Sequence, residues 1–408
     1  MLRKLELANV GLLTLSVLSI ALLITPRPAQ AQTETVLYNF TGSPDGAVPE
    51  SPLISDAAGN FYGTTLYGGE KNLGAVYEIS PNGEEGWNET VIHSFDGKDG
   101  EYPESSPLIF DTAGNLYGIT SYGGSSGCGY GCGLVYELSP QGKRWKQTVL
   151  YSFTGGVDGG GPVGGLIMDA AGNLYGTLAE PAGVFELSPS GGGWTEQLIY
   201  AADTISGGVA MDELGNIFGT TSSTVFELSP NGNGGWNSSV LHTFAGGPHD
   251  GSAPVGTLAI QGYGRNQSLF GATYAGGAKD FGTVYELSNG KGKYKGTWVE
   301  RIIHSFKGYP NDGSGPANSV GYSFNLYGTT LNGGEYGYGT VFWIEAIEAI
   351  GEGPRYYEWP LLNFNGAGGS SPYDSLILES DENLYGTAST GGSSGAGVVF
   401  KVPSPLAQ

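Results

Sequence analysis

The sequence predicts an all-β protein, a seven-bladed β-propeller with four strands in each blade. Three observations predict this fold. The motif "GNFYGTT" at residues 59–65 returns seven times in variant form. Each copy lies within four short runs of apolar, aromatic or β-branched residues that are bounded by Gly, Pro, Asn and Asp. No stretch of residues 32–408 keeps a helical period, and "IEAIEAI" at residues 344–350 comes nearest to one.

The first 31 residues have the features of a secretory signal. Arg3 and Lys4 precede an apolar run at residues 10–24, and the small-residue triplet at residues 29–31 follows. An uncleaved membrane anchor is the alternative, but the run is shorter than the ~20 residues that a span needs. We therefore expect a signal peptide at 1–31 and one propeller domain at 32–408, exported to the periplasm or the medium without membrane insertion.

The copies of the motif count the blades. Their spacing of roughly 43 to 58 residues, with four strands each, fits propeller blades better than the shorter repeats of a solenoid. The units are marked by Asn60, Asn115, Asn173, Asn216, Ser268, Asn325 and Asn383.

The two ends of the chain predict how the ring closes. The chain after the signal opens on "TETVLYNF" and ends on "GAGVVFKVP", which are consecutive parts of the repeat. Residues 35–40 should therefore be the fourth strand of the last blade, which would remove two free sheet edges. A tryptophan is expected to begin the outer strand of the other blades and to pack there rather than to bind a ligand: Trp87, Trp145, Trp194, Trp236, Trp298 and Trp359.

Charge and cysteine usage limit the partners. A net charge of −22 repels phosphate backbones and anionic lipid, so nucleic acid is not expected as a partner. Cys128 and Cys132 lie on the Gly-rich segment "GCGYGCG". In an exported chain a local disulfide is the favoured interpretation, because a metal site would need two further ligands and no His or Cys lies nearby in sequence.

Two sets of loops should lie on one face of the disc, and their variation makes that face the predicted binding surface. The unit beginning near Gly208 has lost most of both loops, which predicts a notch in the rim. A recurrent Asp-Gly pair marks these loops: Asp45, Asp99, Asp158, Asp250 and Asp312. A ring of carboxylates would suit Ca²⁺ or sugar hydroxyls. Asp-Gly turns are the favoured alternative, since no loop gathers four oxygen-bearing side chains.

The other acidic and imidazole side chains mostly fill repeat positions. Turn-capping is the expected role of Asp56, Asp111, Asp169 and Asp212. Packing is expected for His93, His242 and His304, because Tyr38, Tyr151 and Tyr200 fill the same position elsewhere. Only His249, beside Asp250, departs from the repeat, and this pair is assigned to the predicted binding face. No catalytic motif is present, so no catalytic residue or metal ligand is assigned.

With the repeat laid out, the chain resembles the GloVer tandem-repeat proteins of exported bacterial origin. The matching segments include "GNFYGTTLYGG", "GNLYGITSYGG" and "NLYGTTLNGG". The resemblance implies a secreted propeller without a defined activity. A looser similarity to kelch repeats bears on the fold and hardly on function.

The sequence predicts a monomeric binding module for a glycan, a peptide or a cell-envelope partner. No cofactor is assigned, and calcium is the only candidate cofactor. The alternative is a hydrolase or lyase with a site near the central channel, for which Gln261, Glu379 and Arg265 depart from the repeat. A purely structural matrix protein is the third reading.

Overall fold

The structure, a computed structural model, describes residues 34–83, 86–103, 107–124, 127–262, 264–290, 296–318, 320–323, 325–349 and 353–407. The predicted signal peptide lies outside the described residues. No helix in the described part of the chain is long and apolar enough to cross a membrane.

Among the described residues, seven antiparallel sheets form the blades, one sheet for each blade, and the predicted propeller is confirmed. An eighth sheet has two short strands, Gly46–Ala47 and Tyr67–Gly68. The strands of blade 1 are Ile54–Ser55, Phe61–Thr65, Ala75–Pro81 and Trp87–Ser94, and those of blade 2 are Ile109–Phe110, Leu116–Thr120, Leu134–Gln141 and Arg144–Ser152. Blade 3 consists of Gly160–Met168, Leu174–Glu180, Ala182–Ser190 and Gly193–Ala201. Blade 4 consists of Ala210–Met211, Ile217–Thr220, Thr224–Pro230 and Trp236–Thr243. Blade 5 consists of Gly251–Gln261, Ser268–Gly276, Thr283–Asn289 and Trp298–Ser305. In blade 6 the first strand is divided into Gly313–Pro316 and Gly321–Ser323, and the others are Asn325–Gly333, Thr340–Ala349 and Gly353–Asn363. Blade 7 consists of Ile377–Leu378, Asn383–Ala388, Val398–Pro403 and Thr35–Asn39. In the described part of the chain, 3-10 helices lie at Gly264–Asn266 and Pro405–Ala407.

The ring closes as the two chain ends predict. Thr35–Asn39 pairs antiparallel with Val398–Pro403, so the N-terminal strand is the fourth strand of blade 7. Both termini are thereby held in one sheet, and no blade is left with an unpaired third strand.

The recurrent motif is a capped turn followed by a buried strand. Asp56 accepts hydrogen bonds from the backbone N–H groups of Ala58 and Asn60 at 2.8 and 3.0 Å, and from Tyr62 Oη at 3.1 Å. Asp111 and Asp169 repeat the arrangement, and Asp212 keeps it apart from the tyrosine bond. The predicted turn-capping role is therefore borne out.

The glycine of the motif serves a close approach. A Cβ atom on Gly63 would overlap the ring of Tyr77 on the third strand of the same blade. The glycine therefore lets a large aromatic ring lie flat against the second strand, which is why the motif tolerates no side chain there.

Aromatic pairs hold neighbouring blades together. A phenylalanine after each fourth strand packs edge to face on an aromatic ring in the third strand of the next blade, as Phe40 does on Tyr77 with ring centroids 5.0 Å apart. Five further interfaces repeat the pair. Between blades 3 and 4, Ala202 replaces the phenylalanine, and Tyr200 packs on Phe226 instead.

One tryptophan prediction is wrong. Trp359 lies well inside Gly353–Asn363 and pairs with Trp343. Glu358 pairs with Ile344 as Glu89 pairs with Ile79, so Tyr356 holds the position that Trp87 holds in blade 1. The cause is the long hairpin of blade 6, which extends the outer strand beyond the usual tryptophan.

Candidate functional site

Loops from neighbouring repeat units meet on one face of the disc. Gly46–Ala47, in the connection from blade 7 to blade 1, pairs with Tyr67–Gly68, which joins the second and third strands of blade 1. Gly69 N–H also donates to the Asp45 carbonyl at 2.7 Å. We call the side of the disc that carries these two sets of loops the loop face.

The carboxylate groups of the Asp-Gly pairs accept hydrogen bonds from residues that come just before them in the chain. Asp45 accepts hydrogen bonds from Thr41 N–H at 2.8 Å and from Tyr38 Oη at 3.1 Å. Asp158 accepts the same pair from Thr154 N–H and Tyr151 Oη at 2.9 and 3.1 Å. These contacts are those of a turn, and they use oxygen atoms that a ligand would otherwise bind.

Each of these aspartates also joins a cluster across a blade interface. A Tyr or His comes from the fourth strand of one blade, the Asp comes from the connecting loop, and a Glu or Gln comes from the fourth strand of the next blade. We call these the inter-blade clusters: Tyr38–Asp45–Glu89, His93–Asp99–Gln147, Tyr151–Asp158–Glu196, His242–Asp250–Glu300 and His304–Asp312–Glu358.

Two interfaces lack the cluster. Between blades 6 and 7 the loop carries Gly368, and a Cβ there would overlap the carboxyl group of Glu34. Between blades 3 and 4 the loop is short, and its exposed Asp203 is the acidic neighbour of Tyr200. Blades 3 and 4 also have the shortest connections between second and third strands, with Pro181 alone between two strands in blade 3. The predicted notch therefore extends over both blades.

The clustered glutamates are hard to ionise. Burial first, and then the charge of Asp45, raise the pKa of Glu89 to about 7. The same two causes raise the pKa of Glu196 to about 7 beside Asp158. They also raise the pKa of Glu300 to about 7 beside Asp250. Two carboxyl groups that share a buried site cannot both carry charge without a large penalty, so the clusters favour a proton or a cation.

Two clusters offer the side chains that a metal ion would use. In His242–Asp250–Glu300 and in His304–Asp312–Glu358, one ligand atom of each residue lies within 4.8 Å of the others. The His and acidic groups of these clusters can hold a metal. The histidines also pack, His242 on Phe244 and His304 on Phe306, with ring centroids 4.6 and 4.7 Å apart. Packing alone, as predicted for them, is therefore an incomplete account.

The histidine that faces the Asp250 carboxylate is not the one next to it in sequence. His249 is exposed at the tip of the loop, whereas His242 Nε2 lies 3.5 Å from Asp250 Oδ1. The clustered glutamates are not among the residues predicted from the sequence either. A signal for them exists, because Glu89, Glu196 and Glu300 each lie two residues after the tryptophan near the start of the fourth strand.

Tyrosine rings line the loop face of blades 1 and 2. The Tyr102 ring contacts the Tyr67 ring edge to face at 5.4 Å and the Tyr122 ring at 6.0 Å. Tyr67 and Tyr122 are 39% and 41% exposed. Tyr102 has a positive φ of 53° immediately before Pro103, a conformation that a residue with a side chain seldom adopts. We call Tyr67, Tyr102 and Tyr122 the tyrosine row.

The predicted disulfide lies next to this row. Cys128 and Cys132 are bonded, with Cα atoms 5.2 Å apart. The loop that they close presents Tyr130, which is 79% exposed. Blades 5 and 6 present further exposed rings on the same face, Tyr274 near the end of a second strand and the others on loops: Phe281, Tyr309, Tyr336 and Tyr338.

The central channel holds a cavity of about 780 Å³ lined by first-strand residues such as Ile54, Val163 and Ile260. The described residues that line it include one phenol, Tyr373, and no carboxylate, imidazole or amine. Gln261 and Glu379 lie at the far ends of their first strands, and Glu379 accepts a hydrogen bond from Ser55 Oγ at 2.6 Å. Arg265 lies in the 3-10 helix Gly264–Asn266. Gln261 and Glu379 are not among the described residues that line the cavity.

The architecture defines a class of proteins, the seven-bladed propellers closed by their own N-terminal strand. The chain belongs to the Gloeobacter/Verrucomicrobia repeat family, whose sequence profile matches residues 24–224 and residues 206–406. This confirms the resemblance seen in the sequence. None of the curated proteins compared with the chain matches it.

Solved structures share the fold at low identity. A streptogramin B lyase is 15% identical, with a TM-score of 0.55 over 91% of this chain and 96% of that one. Virginiamycin B lyase from Staphylococcus aureus is 11% identical, with a TM-score of 0.54 over 91% and 98%. The extracellular domain of a putative hybrid two-component system from B. thetaiotaomicron is 13% identical, with a TM-score of 0.54 over 91% and 43%. At these identities the likeness shows the fold alone.

Proposed function

We propose that this protein is an exported binding module that holds a neutral glycan on its loop face, at the tyrosine row. The observation that carries the proposal is the row itself, in which the Tyr102 ring contacts the rings of Tyr67 and Tyr122 and so bridges blades 1 and 2. Its outer members keep about two fifths of their surface exposed.

The chemistry of the row suits a sugar. An aromatic ring presents a flat apolar face beside a hydroxyl group, and sugar-binding requires both apolar contact and hydrogen bonding. The rings are held in place by one another, so less side-chain entropy is lost when a ligand binds. The net charge of −22 disfavours anionic polymers, which selects neutral glycans within the wider class of envelope partners.

The test is an affinity screen of the purified chain against neutral polysaccharides, followed by the double variant Tyr67→Ala and Tyr122→Ala. We expect the variant to lose about tenfold or more in affinity, as the loss of two stacking contacts implies. Tyr357→Ala is the matched control, because Tyr357 is 44% exposed but lies in the fourth strand of blade 6, away from the loop face. Absence of binding to any neutral polysaccharide, or an equal loss in the control, would refute the proposal.

Calcium has a minor place in this proposal. Asp45 already accepts bonds from Tyr38, Thr41 and Gly46, whereas calcium takes six to eight oxygen ligands. We expect the affinity for glycan to be unchanged by EDTA. A calcium-dependent affinity would instead assign the binding to the Asp-Gly loops.

A hydrolase or lyase centred on the channel has less support. Acid-base chemistry needs a titratable side chain within hydrogen-bond reach of the substrate, and the described lining of the cavity offers the phenol of Tyr373 but no carboxylate, imidazole or amine. Asp374, which accepts a hydrogen bond from the lining residue Asn318 at 2.6 Å, is itself only 1% exposed.

A further inference from the structure

We propose that the His242–Asp250–Glu300 cluster, at the interface of blades 4 and 5, is a zinc site. It would join the two blades across the side of the disc next to the notch. The proposal does not depend on glycan binding, because the cluster and the tyrosine row lie on different blades.

The first argument is a convergence of unsatisfied atoms. His242 Nε2, Asp250 Oδ1 and Glu300 Oε1 are each shielded from solvent, and none of the three has a hydrogen-bond partner in the structure. The same three residues bring their ligand atoms within 4.8 Å of one another. A buried polar atom without a partner is destabilising, and a single cation at the centre would satisfy all three.

The second argument is that the ligands are already oriented. The other oxygen of Asp250, Oδ2, accepts a hydrogen bond from Ala245 N–H at 2.6 Å, which leaves Oδ1 for the cluster. The His242 ring is fixed by edge-to-face packing on Phe244. Such outer contacts hold metal ligands in place and are typical of built metal sites.

The third argument is a comparison with the other clusters. In Tyr38–Asp45–Glu89 the tyrosine hydroxyl donates to the aspartate at 3.1 Å, so that pair is satisfied without an ion. The His93 cluster keeps the Asp99 carboxylate at 3.2 Å but lacks a second one, because Gln147 replaces the glutamate and donates its amide to the Asp99 carbonyl at 2.6 Å. The repeat therefore contains its own variants that lack one ligand or another.

The remaining complete cluster is a poorer site. Asp312 Oδ2 accepts from Lys307 N–H at 3.0 Å and lies 3.2 Å from His304 Nε2, while Asp312 Oδ1 accepts from Gly313 N–H at 2.7 Å. Both carboxylate oxygens of Asp312 are thus engaged. We therefore assign the ion to the His242 cluster.

The ligand set selects the metal. One imidazole and two carboxylates, with a fourth position for water, match a tetrahedral zinc site, in which ligand atoms at ~2.1 Å from the metal lie ~3.4 Å apart. The 3.5 Å between His242 Nε2 and Asp250 Oδ1 agrees with that spacing. Calcium prefers more ligands and only oxygen, and magnesium seldom takes imidazole. The two carboxylates also neutralise the charge of a divalent ion.

The test uses the full exported chain without an affinity tag. Protein stripped with a chelator is titrated with Zn²⁺ by calorimetry, and the same protein with Co²⁺ is followed by visible absorption, which reports the coordination geometry. We expect one Zn²⁺ per chain, a tetrahedral Co²⁺ spectrum, and a rise in Tm when Zn²⁺ is added.

The variant His242→Tyr puts into this cluster the residue that the repeat has at Tyr38 and Tyr151, so it should fold. We expect its Zn²⁺ affinity to fall about 100-fold or more and the Tm response to vanish. Glu300→Gln, which copies Gln147, should act in the same direction. His93→Tyr is the matched control and should leave the titration unchanged.

Three results would overturn the zinc site: no Zn²⁺ binding by the unmodified chain, unchanged binding in a folded His242→Tyr variant, or a preference for Ca²⁺ over Zn²⁺. Because the readouts are binding, absorption and Tm, they separate this site from the glycan proposal.

Discussion

The Tyr38–Asp45–Glu89 and His242–Asp250–Glu300 clusters occupy the same place in the repeat, yet they present different chemistry. In the first, a hydroxyl group donates to the aspartate and leaves a glutamate that a proton must satisfy. In the second, the imidazole stands too far from the aspartate for a good hydrogen bond, and three atoms are left for a common partner. The backbone repeat therefore sets where a cluster forms, and one side chain sets what it can bind.

The interface of blades 3 and 4 shows what happens without a cluster. Its loop is short, its phenylalanine is replaced by Ala202, and Tyr200 turns to pack on Phe226. The ring still closes there, so the cluster is not a requirement for adjacent blades to pack. Where a cluster is present, however, its donors and acceptors depend on one another.

The largest expected effect comes from removing an aspartate at a tyrosine-bearing cluster. Asp158→Ala leaves Thr154 N–H and Tyr151 Oη without their acceptor in a site where Asp158 is only 7% exposed. We expect the unfolding free energy to fall by about 2–3 kcal/mol, seen as a lower Tm at pH 6.

The control for that variant lies in the notch. Asp203→Ala removes an exposed aspartate from the interface that has no cluster, and we expect its Tm to match that of the unmodified chain. An equal loss in both variants would mean that aspartate supports the loops in some way unrelated to the clusters.

A smaller effect should appear as a dependence on pH. The pKa of Glu89 is raised from an ordinary 4.5 to about 7 in the fold, so its ionised form is disfavoured there. The contribution of protonated Glu89 to the free energy of unfolding is present in full below pH ~4.5 and is lost as the pH rises through about 7. The protein is therefore expected to be less stable at pH 9 than at pH 5.

Replacing the carboxyl group by an amide tests this sign. We expect Glu89→Gln and Glu196→Gln each to raise stability by about 1 kcal/mol at pH 9, after allowance for screening by water, and to change nothing at pH 4. The reverse substitution Gln147→Glu should lower the Tm at pH 9. A Tm of Glu89→Gln that follows the unmodified chain at every pH would show that Glu89 is ionised in the fold.

Much of the fold was accessible from the sequence because it rests on local signals. The Asp56 turn, the close approach at Gly63 and the pairing of residues 35–40 with the last strand each follow from residues near one another in the repeat or at its ends. The clusters were not accessible in the same way. Asp250 and Glu300 meet only because neighbouring blades pack side by side, and sequence adjacency pointed to His249 instead. The prediction that Trp359 begins an outer strand was wrong for a related reason, because the hairpin of blade 6 extends beyond the position that tryptophan holds in other blades.

The same comparison between blades can be repeated in the core beneath the clusters, where removal of a single hydroxyl group gives the smallest expected effect. Tyr77, Tyr136 and Tyr285 are buried, and their hydroxyl groups have no hydrogen-bond partner, whereas Phe226 and its counterparts fill that third-strand position in the other blades. Removing an unsatisfied hydroxyl group from a packed core relieves its desolvation, so we expect Tyr77→Phe to raise the unfolding free energy by up to about 1 kcal/mol. The reverse change, Phe226→Tyr, should lower it by about 1–2 kcal/mol, because it adds both volume and an unpaired polar group. Opposite shifts in Tm for the two variants would show that the blades differ at this position only in the burial of a hydroxyl group. A loss of stability in Tyr77→Phe would instead show that the Tyr77 hydroxyl group has a hydrogen-bond partner inside the propeller.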